Sequence, residues 1–203
     1  MVLNGRWNDV METDDDVLHY IKCKYTENYI QYYKNIVPVN LCNKLINHDF
    51  SYEPSTYSTH DSGKVIKDER VRMDDFWIRK DNIFYNDIKD CFENVIVKYK
   101  NEFPLFAVNH TTDFRISRYY KGGFMSRHVD NIHHSHGQQY GYPQVSVLLY
   151  LNDNYDGGEF LVAGEQFETE EGSAIIFPSN FVYPHEVKKI LSGVRWSVVT
   201  WLM

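Results

Sequence analysis

Cysteine is scarce. The 203 residues hold three, Cys23, Cys42 and Cys91, widely spaced and in no C-x-x-C pair. That excludes a disulfide framework and a cysteine zinc site, and makes a reducing cytoplasm, the host's if the source is viral, the expected compartment. Long apolar runs are missing as well: nowhere do about 18 apolar residues follow one another, and the first thirty contain no secretory h-region. The expectation is a chain that neither spans a membrane nor is exported by a leader. Positive charge is also short, with 21 Lys and Arg against 28 Asp and Glu and a net charge of -7. Nucleic acid is therefore a disfavoured partner, since its binders gather Lys and Arg onto phosphates. Repeats and low-complexity tracts are absent too, and the acidic run "ETDDDV" (12–17) reads as a solvated segment leading into the fold.

What is present is apolar and aromatic: 43% hydrophobic and 16% aromatic residues, enough for burial to offset chain entropy. The length suits one domain over 1–203. The abundance of Asn, Lys, Ile, Tyr and Phe is what AT-rich coding produces, and points to a small-genome, phage-like or viral source.

Two patterns divide the chain. Residues 27–50 read as a strand near 29–36 and a short helix, with Pro38 in its first turn and Leu41, Leu45 and Ile46 as its apolar stripe. Residues 51–70 turn polar, as in a long surface loop. Residues 81–103 repeat Ile83, Phe84, Ile88, Cys91, Phe92, Val95, Ile96 and Tyr99 near helical spacing, a helix ended by Pro104. After about residue 111 the period changes to short segments rich in Val, Ile, Tyr and Trp, divided by turns such as Asp156-Gly157-Gly158 and Glu171-Gly172. The class is α+β: six or more strands in a sandwich or jelly roll, buttressed on one sheet by N-terminal helices.

The residues with chemistry sit in that second half. In "RHVDN" (127–131), His128 and Asp130 are two residues apart and on a strand would share one side. Such a pair arises by chance in a chain with 9 histidines, so it needs a third ligand. His185 in "YPHEV" is the candidate; beside a proline it could equally cap a turn. Two imidazoles and a carboxylate form the facial set that suits non-haem Fe(II) and leaves open positions. Arg195 adds weight, because an arginine in an apolar terminal strand requires an anion, either a core carboxylate or a carboxylated ligand. By alternation Ser197, Val199 and Trp201 share its face. "HHSH" (133–136) reads as a loop at the cavity mouth rather than as the ligand set.

Taken together, "RYYKGGFMSRHVDN" (118–131), "VSVLLYLNDNYDGGEF" (145–160), "GSAIIFPS" (172–179) and "HEV" (185–187) leading to "SGVR" (192–195) resemble the iron- and 2-oxoglutarate-dependent oxygenases. The likeness is to the prolyl 4-hydroxylase-like branch and its bacterial and phage relatives. It implies a double-stranded β-helix (jelly-roll) core over 111–203, with 1–110 supplying strand and helix support and a substrate-side loop. It implies Fe(II) on His128, Asp130 and His185, and the distal carboxylate of 2-oxoglutarate on Arg195. Tyr150, Tyr119 and Ser197 join that cosubstrate set. "VRMDDFW" (71–77) is similar to a substrate-side segment, so Arg72 and Trp77, with Arg127 and Trp201, are expected substrate contacts. Lys189 and Met125 depart from the proline and tyrosine frequent in the family, at positions that carry neither metal nor anion chemistry.

The implied activity is hydroxylation with O2, yielding succinate and CO2, with ascorbate as an accessory reductant. Prolyl residues of a protein or peptide are the expected substrate, and a free amino acid or small metabolite the alternative. DNA-repair demethylases usually carry a second arginine where this chain has Trp201. Two further readings stay open: a jelly-roll ligand-binding module with inert histidines, and a cupin-like metalloenzyme that uses no 2-oxoglutarate. The oligomeric state is not legible.

Overall fold

The computed structural model describes residues 29–55, 57–58, 65–66, 70–131 and 141–203. The acidic run at 12–17, Cys23 and the HHSH tract at 133–136 lie outside the described residues.

In chain order the elements are β1 (Gln31–Tyr33), α1 (Val39–Asn47), β2 (Glu53–Pro54), β3 (Tyr57–Ser58), β4 (Val65–Ile66), β5 (Val71–Arg72), β6 (Asp74–Ile78) and α2 (Tyr85–Glu102). Then follow β7 (Phe114–Tyr119), β8 (Phe124–His128), β9 (Val145–Tyr150), β10 (Asp156–Gly157), β11 (Phe160–Val162) and β12 (Glu165–Phe167). The last are β13 (Ala174–Pro178), β14 (His185–Val187), β15 (Ile190–Ser192) and β16 (Arg195–Leu202). A seven-stranded sheet runs β1-β13-β9-β16-β7-β6-β2 and a five-stranded sheet β12-β11-β14-β8-β5; β10 pairs with β15, and β3 with β4. All of the pairings are antiparallel.

Side-chain alternation makes three layers of this. On β9 and β16, Val145, Val147, Leu149, Val198 and Leu202 point to one face and pack with Leu41, Leu45, Ile88, Phe92 and Val95 of the helices. Leu148, Tyr150, Val199 and Trp201 point to the other and meet Phe160, Val162 and Val187 of the smaller sheet. The helices therefore cover the outer face of the large sheet, and the space between the sheets is left for the site.

Helix α1 is preceded by Pro38, whose φ of -59° is fixed by its ring. Ahead of α2, the Asn82 side chain accepts a hydrogen bond from the Phe84 amide at 3.0 Å. That helix stops at Glu102, two residues before Pro104. Cys42 and Cys91 are unbonded thiols buried in this layer. Burial pushes them up to about 12 and about 11, so both stay protonated and inert.

Two expectations need correction, and one strand lies where the sequence offered no reading. Ile83, counted in the helix stripe, precedes α2 and is 76% exposed, because Asn82 starts the helix one turn later. Residues 51–70 are not wholly loop: Glu53–Pro54 closes the edge of the large sheet, and β3 and β4 form a two-stranded pair. The segment 74–78 is a strand despite its two aspartates, since Asp74 binds Arg118 at 3.1 Å and Asp75 faces Arg115 at 4.0 Å on the adjoining β7.

Phe92 anchors the helix layer, stacked on Phe114 of β7 at a ring separation of 5.1 Å. Phe92→Ala should cost about 3–5 kcal/mol in chemical denaturation, as truncation of a buried aromatic does. A loss below about 1 kcal/mol would mean that α2 does not rest on β7 as described.

Candidate metal centre and anion pocket

The two histidines meet because of strand register. β8 and β14 pair antiparallel with His128 directly opposite His185, while Val187 pairs with Met125. Two steps on β14 thus match three on β8, which is a β-bulge. The extra residue matters: with strict alternation, Met125 and His128 would point to opposite faces. The bulge lets Met125 pack between the sheets while His128 joins His185, their ring centroids 4.2 Å apart.

Asp130 lies in the bend just past the end of β8 and completes the cluster. Its two carboxylate oxygens are 3.4 Å from Nε2 of His128 and 3.3 Å from Nε2 of His185. All three ligand atoms lie within 4.8 Å of one another. Donors bound at about 2.0–2.2 Å and at right angles stand roughly 3 Å apart, so the three fit one divalent ion. Each imidazole is held through its other nitrogen: Nδ1 of His128 meets the Ser126 carbonyl at 2.8 Å, and Nδ1 of His185 the Tyr183 carbonyl at 3.4 Å. Those contacts favour the tautomer with a free Nε2 lone pair facing Asp130. Phe177 and Phe160 flank the His185 ring at 4.9 and 6.0 Å.

Electrostatics suit metal binding. Burial pushes the His185 ring below its ordinary range, against the pull of Asp130, so the ring is neutral near pH 7. For Asp130, burial acts upward, but the charges and hydrogen bonds that the His185 and His128 rings offer when protonated at low pH outweigh it, and the carboxyl ends well below the usual range. Neutral imidazole and ionised carboxylate are the ligating forms.

Arg195, at the start of β16, is fully buried. It pairs across the ladder with Tyr119 of β7, and Ser197 pairs with Tyr150 of β9. The guanidinium lies between the two tyrosine rings, 5.2 Å from Tyr119 and 5.3 Å from Tyr150, and Nη1 donates to Ser197 at 3.3 Å. Behind it, Gly158 adopts a φ of +70° and packs close to the Arg195 stem, where a Cβ would lie 3.3 Å from Cδ. Among the described residues no carboxylate forms a salt bridge with Arg195, which removes the core-carboxylate alternative there. Nε and Nη2 of Arg195 and the hydroxyls of Tyr150 and Tyr32 are buried without hydrogen-bond partners. An unpaired buried guanidinium costs several kcal/mol, roughly what a bidentate carboxylate would recover. Burial pushes the Tyr119 and Tyr150 phenols upward, so both remain O–H donors. The Tyr119 hydroxyl points to the Met125 sulfur at 3.9 Å. These donors fit the distal carboxylate of a dicarboxylic acid.

The expected substrate residues are more scattered. Arg72 and Arg127 are exposed on β5 and β8. Trp77 of β6 and Trp201 of β16 face each other at 6.1 Å, with the Arg115 guanidinium 4.8 Å from Trp201. Trp201 itself is only 2% exposed, so it packs behind Trp77 instead of lining an open surface. Sequence reasoning missed Ser146, Ser179 and Tyr32. Alternation along β9 could have placed Ser146 on the inner face with Leu148 and Tyr150, but isolated serines and tyrosines carry no motif.

Asp130→Ala should abolish tight Fe(II) binding in anaerobic calorimetry while leaving circular dichroism unchanged. Retention of full affinity would place the ion elsewhere.

Residues 114–203 match the 2OG-Fe(II) oxygenase superfamily profile. A PKHD-type hydroxylase of Prochlorococcus marinus (strain MIT 9215) is 33% identical over 120 residues, 56% of this chain and 49% of the relative. The chain thus spans about half the length of that relative. Two solved structures share the fold. A Pseudomonas putida prolyl-4-hydroxylase superposes with a TM-score of 0.64 at 16% identity, over 92% of this chain and 97% of the other. A Trichoplax adhaerens prolyl hydroxylase, in complex with a hypoxia inducible factor peptide fragment, gives 0.66 at 18% identity over 94% of each chain. No helix among the described residues is long and apolar enough to cross a membrane. The matched segment, somewhat less than half of the chain, contains His128, Asp130, His185 and Arg195, and over those residues the chain is similar to the 2OG-Fe(II) oxygenase superfamily.

Proposed function

We propose that the protein is an Fe(II)- and 2-oxoglutarate-dependent hydroxylase of prolyl residues in a protein or peptide, built as one double-stranded β-helix domain. The observation that carries this reading is the buried Arg195 guanidinium, two of whose nitrogens lack partners, on the face that looks toward the His128, Asp130 and His185 cluster. A metal-binding module without a cosubstrate has no use for such a group; a dicarboxylate requires it.

When bound, Fe(II) and 2-oxoglutarate supply with O2 the oxidising chemistry that hydroxylates a C–H bond and releases succinate and CO2. The chain's own residues hold and orient. His128, Asp130 and His185 would hold the ion through two imidazole nitrogens and one carboxylate oxygen, a set that leaves coordination positions for cosubstrate and O2. Arg195, with Ser197, Tyr150 and Tyr119, would hold the far carboxylate, and Phe160, Val162 and Val199, in the apolar cluster between the sheets, would exclude water around it. Arg72 and Arg127, exposed on the smaller sheet, and Trp77 stand as substrate contacts. The peptide-bound Trichoplax neighbour favours a peptidyl substrate over a free amino acid.

Arg195→Ala should weaken 2-oxoglutarate binding by on the order of 100-fold, equivalent to about 3 kcal/mol, while Fe(II) affinity is retained. An unchanged apparent KM for 2-oxoglutarate would exclude the assigned anion pocket. For the substrate, a peptide library is read by a mass gain of one oxygen together with succinate release. Proline peptides that never react while a small metabolite does would overturn the prolyl assignment and leave the oxygenase standing.

A further inference from the structure

Asp130 is held by more than the two histidines. The Ser146 hydroxyl of β9 donates to Asp130 Oδ2 at 2.6 Å, and the Ser179 hydroxyl, just past the end of β13, lies 2.7 Å from that of Ser146. Both serines are completely buried. An ionised carboxylate only accepts, so the Ser146 proton is committed to Asp130. Between the two hydroxyls, Ser146 can then only accept from Ser179. The chain has one direction: Ser179 O–H to Ser146 O–H to the carboxylate. Successive hydroxyls polarised this way strengthen one another, and in a dry interior they favour the anionic carboxylate.

The backbone around it is tied to the same place. The Asn131 amide donates to the Ser179 carbonyl at 3.0 Å, and its side chain to the Pro143 carbonyl at 2.8 Å. The Ser179 amide donates in turn to Gln144 at 2.8 Å. The bend that carries Asp130 is thereby fastened to the ends of β9 and β13, two strands of the opposite sheet.

From this geometry we infer that Ser146, backed by Ser179, is a positioning residue for the metal: it sets the plane and rotamer of Asp130 so that the carboxylate meets the ion together with His128 and His185. The inference rests on the reading of those three residues as a metal site. It adds that the site is built by both sheets, because the histidines belong to the smaller one and the group that orients Asp130 to the larger. Loss of an outer partner of a ligating group typically costs roughly 10- to 100-fold in metal affinity.

The test titrates the full chain with Co(II), read by its visible d–d absorption, for the parent, Ser146→Ala and Ser179→Ala. Ser146→Ala should bind roughly 10- to 100-fold more weakly with a shifted spectrum, and Ser179→Ala should lose more than twofold but less than Ser146→Ala. Ser146→Thr, which keeps the hydroxyl, should recover most of the affinity. If both alanine variants bind Co(II) within twofold of the parent and with its spectrum, the inference is overturned, whatever their melting temperatures. Should Ser146→Ala fail to fold, Ser179→Ala decides by the same twofold criterion. A parent that binds no Co(II) sinks the metal site itself, a different result from a parent that binds and variants that match it.

Discussion

The register between β8 and β14 is the constraint on which the site depends. It places His128 against His185 across an antiparallel ladder, where side chains on one face come within about 5 Å of each other. Without the bulge beside it, the pairing would turn one imidazole away from the space between the sheets. A one-residue slip moves every side chain of a strand to the other face, so the hydrophobic partners Met125 and Val187 guard the pairing of His128 with His185 against slippage. The packing that stabilises the smaller sheet and the geometry that gathers the nitrogens are the same set of contacts.

The larger sheet answers with charge. Its central strands β9 and β16 are buried on both faces, and into this apolar surface they carry Arg195, Ser197, Tyr150 and Ser146. Buried polar groups persist only where partners are supplied. Ser146 finds one in Asp130, and Ser197 one in Arg195. Nε and Nη2 of Arg195 and the Tyr150 hydroxyl are buried with no hydrogen-bond partner, as the proposed anion pocket requires. Helices on the outer face of this sheet absorb its apolar residues and keep the inner face free to hold polar ones. The fold thus separates its tasks by layer: stability from the helix side, chemistry between the sheets.

Much of this was legible in the chain. The change of hydrophobic period near residue 111 separated helix from sheet, and β16 reads correctly from alternation, with Arg195, Ser197, Val199 and Trp201 on one face. Other parts could not be read. The strand at 74–78 hides behind Asp74 and Asp75, whose arginine partners, Arg118 and Arg115, lie far along the chain on β7. The bulge in β8 leaves no mark in "FMSRH", since an extra residue is defined by its partner strand. Ser146 and Ser179 are ordinary serines until the two sheets bring them to Asp130. What the sequence conveys is periodicity and residue chemistry; what it omits is register.

The most direct test of the account is the visible spectrum of the intact protein as Fe(II) and then 2-oxoglutarate are added without oxygen. Iron held by His128, Asp130 and His185, with the cosubstrate anchored by Arg195, predicts a weak charge-transfer band that appears only when both are present and saturates at one equivalent of each. No band at saturating Fe(II) and 2-oxoglutarate would contradict it.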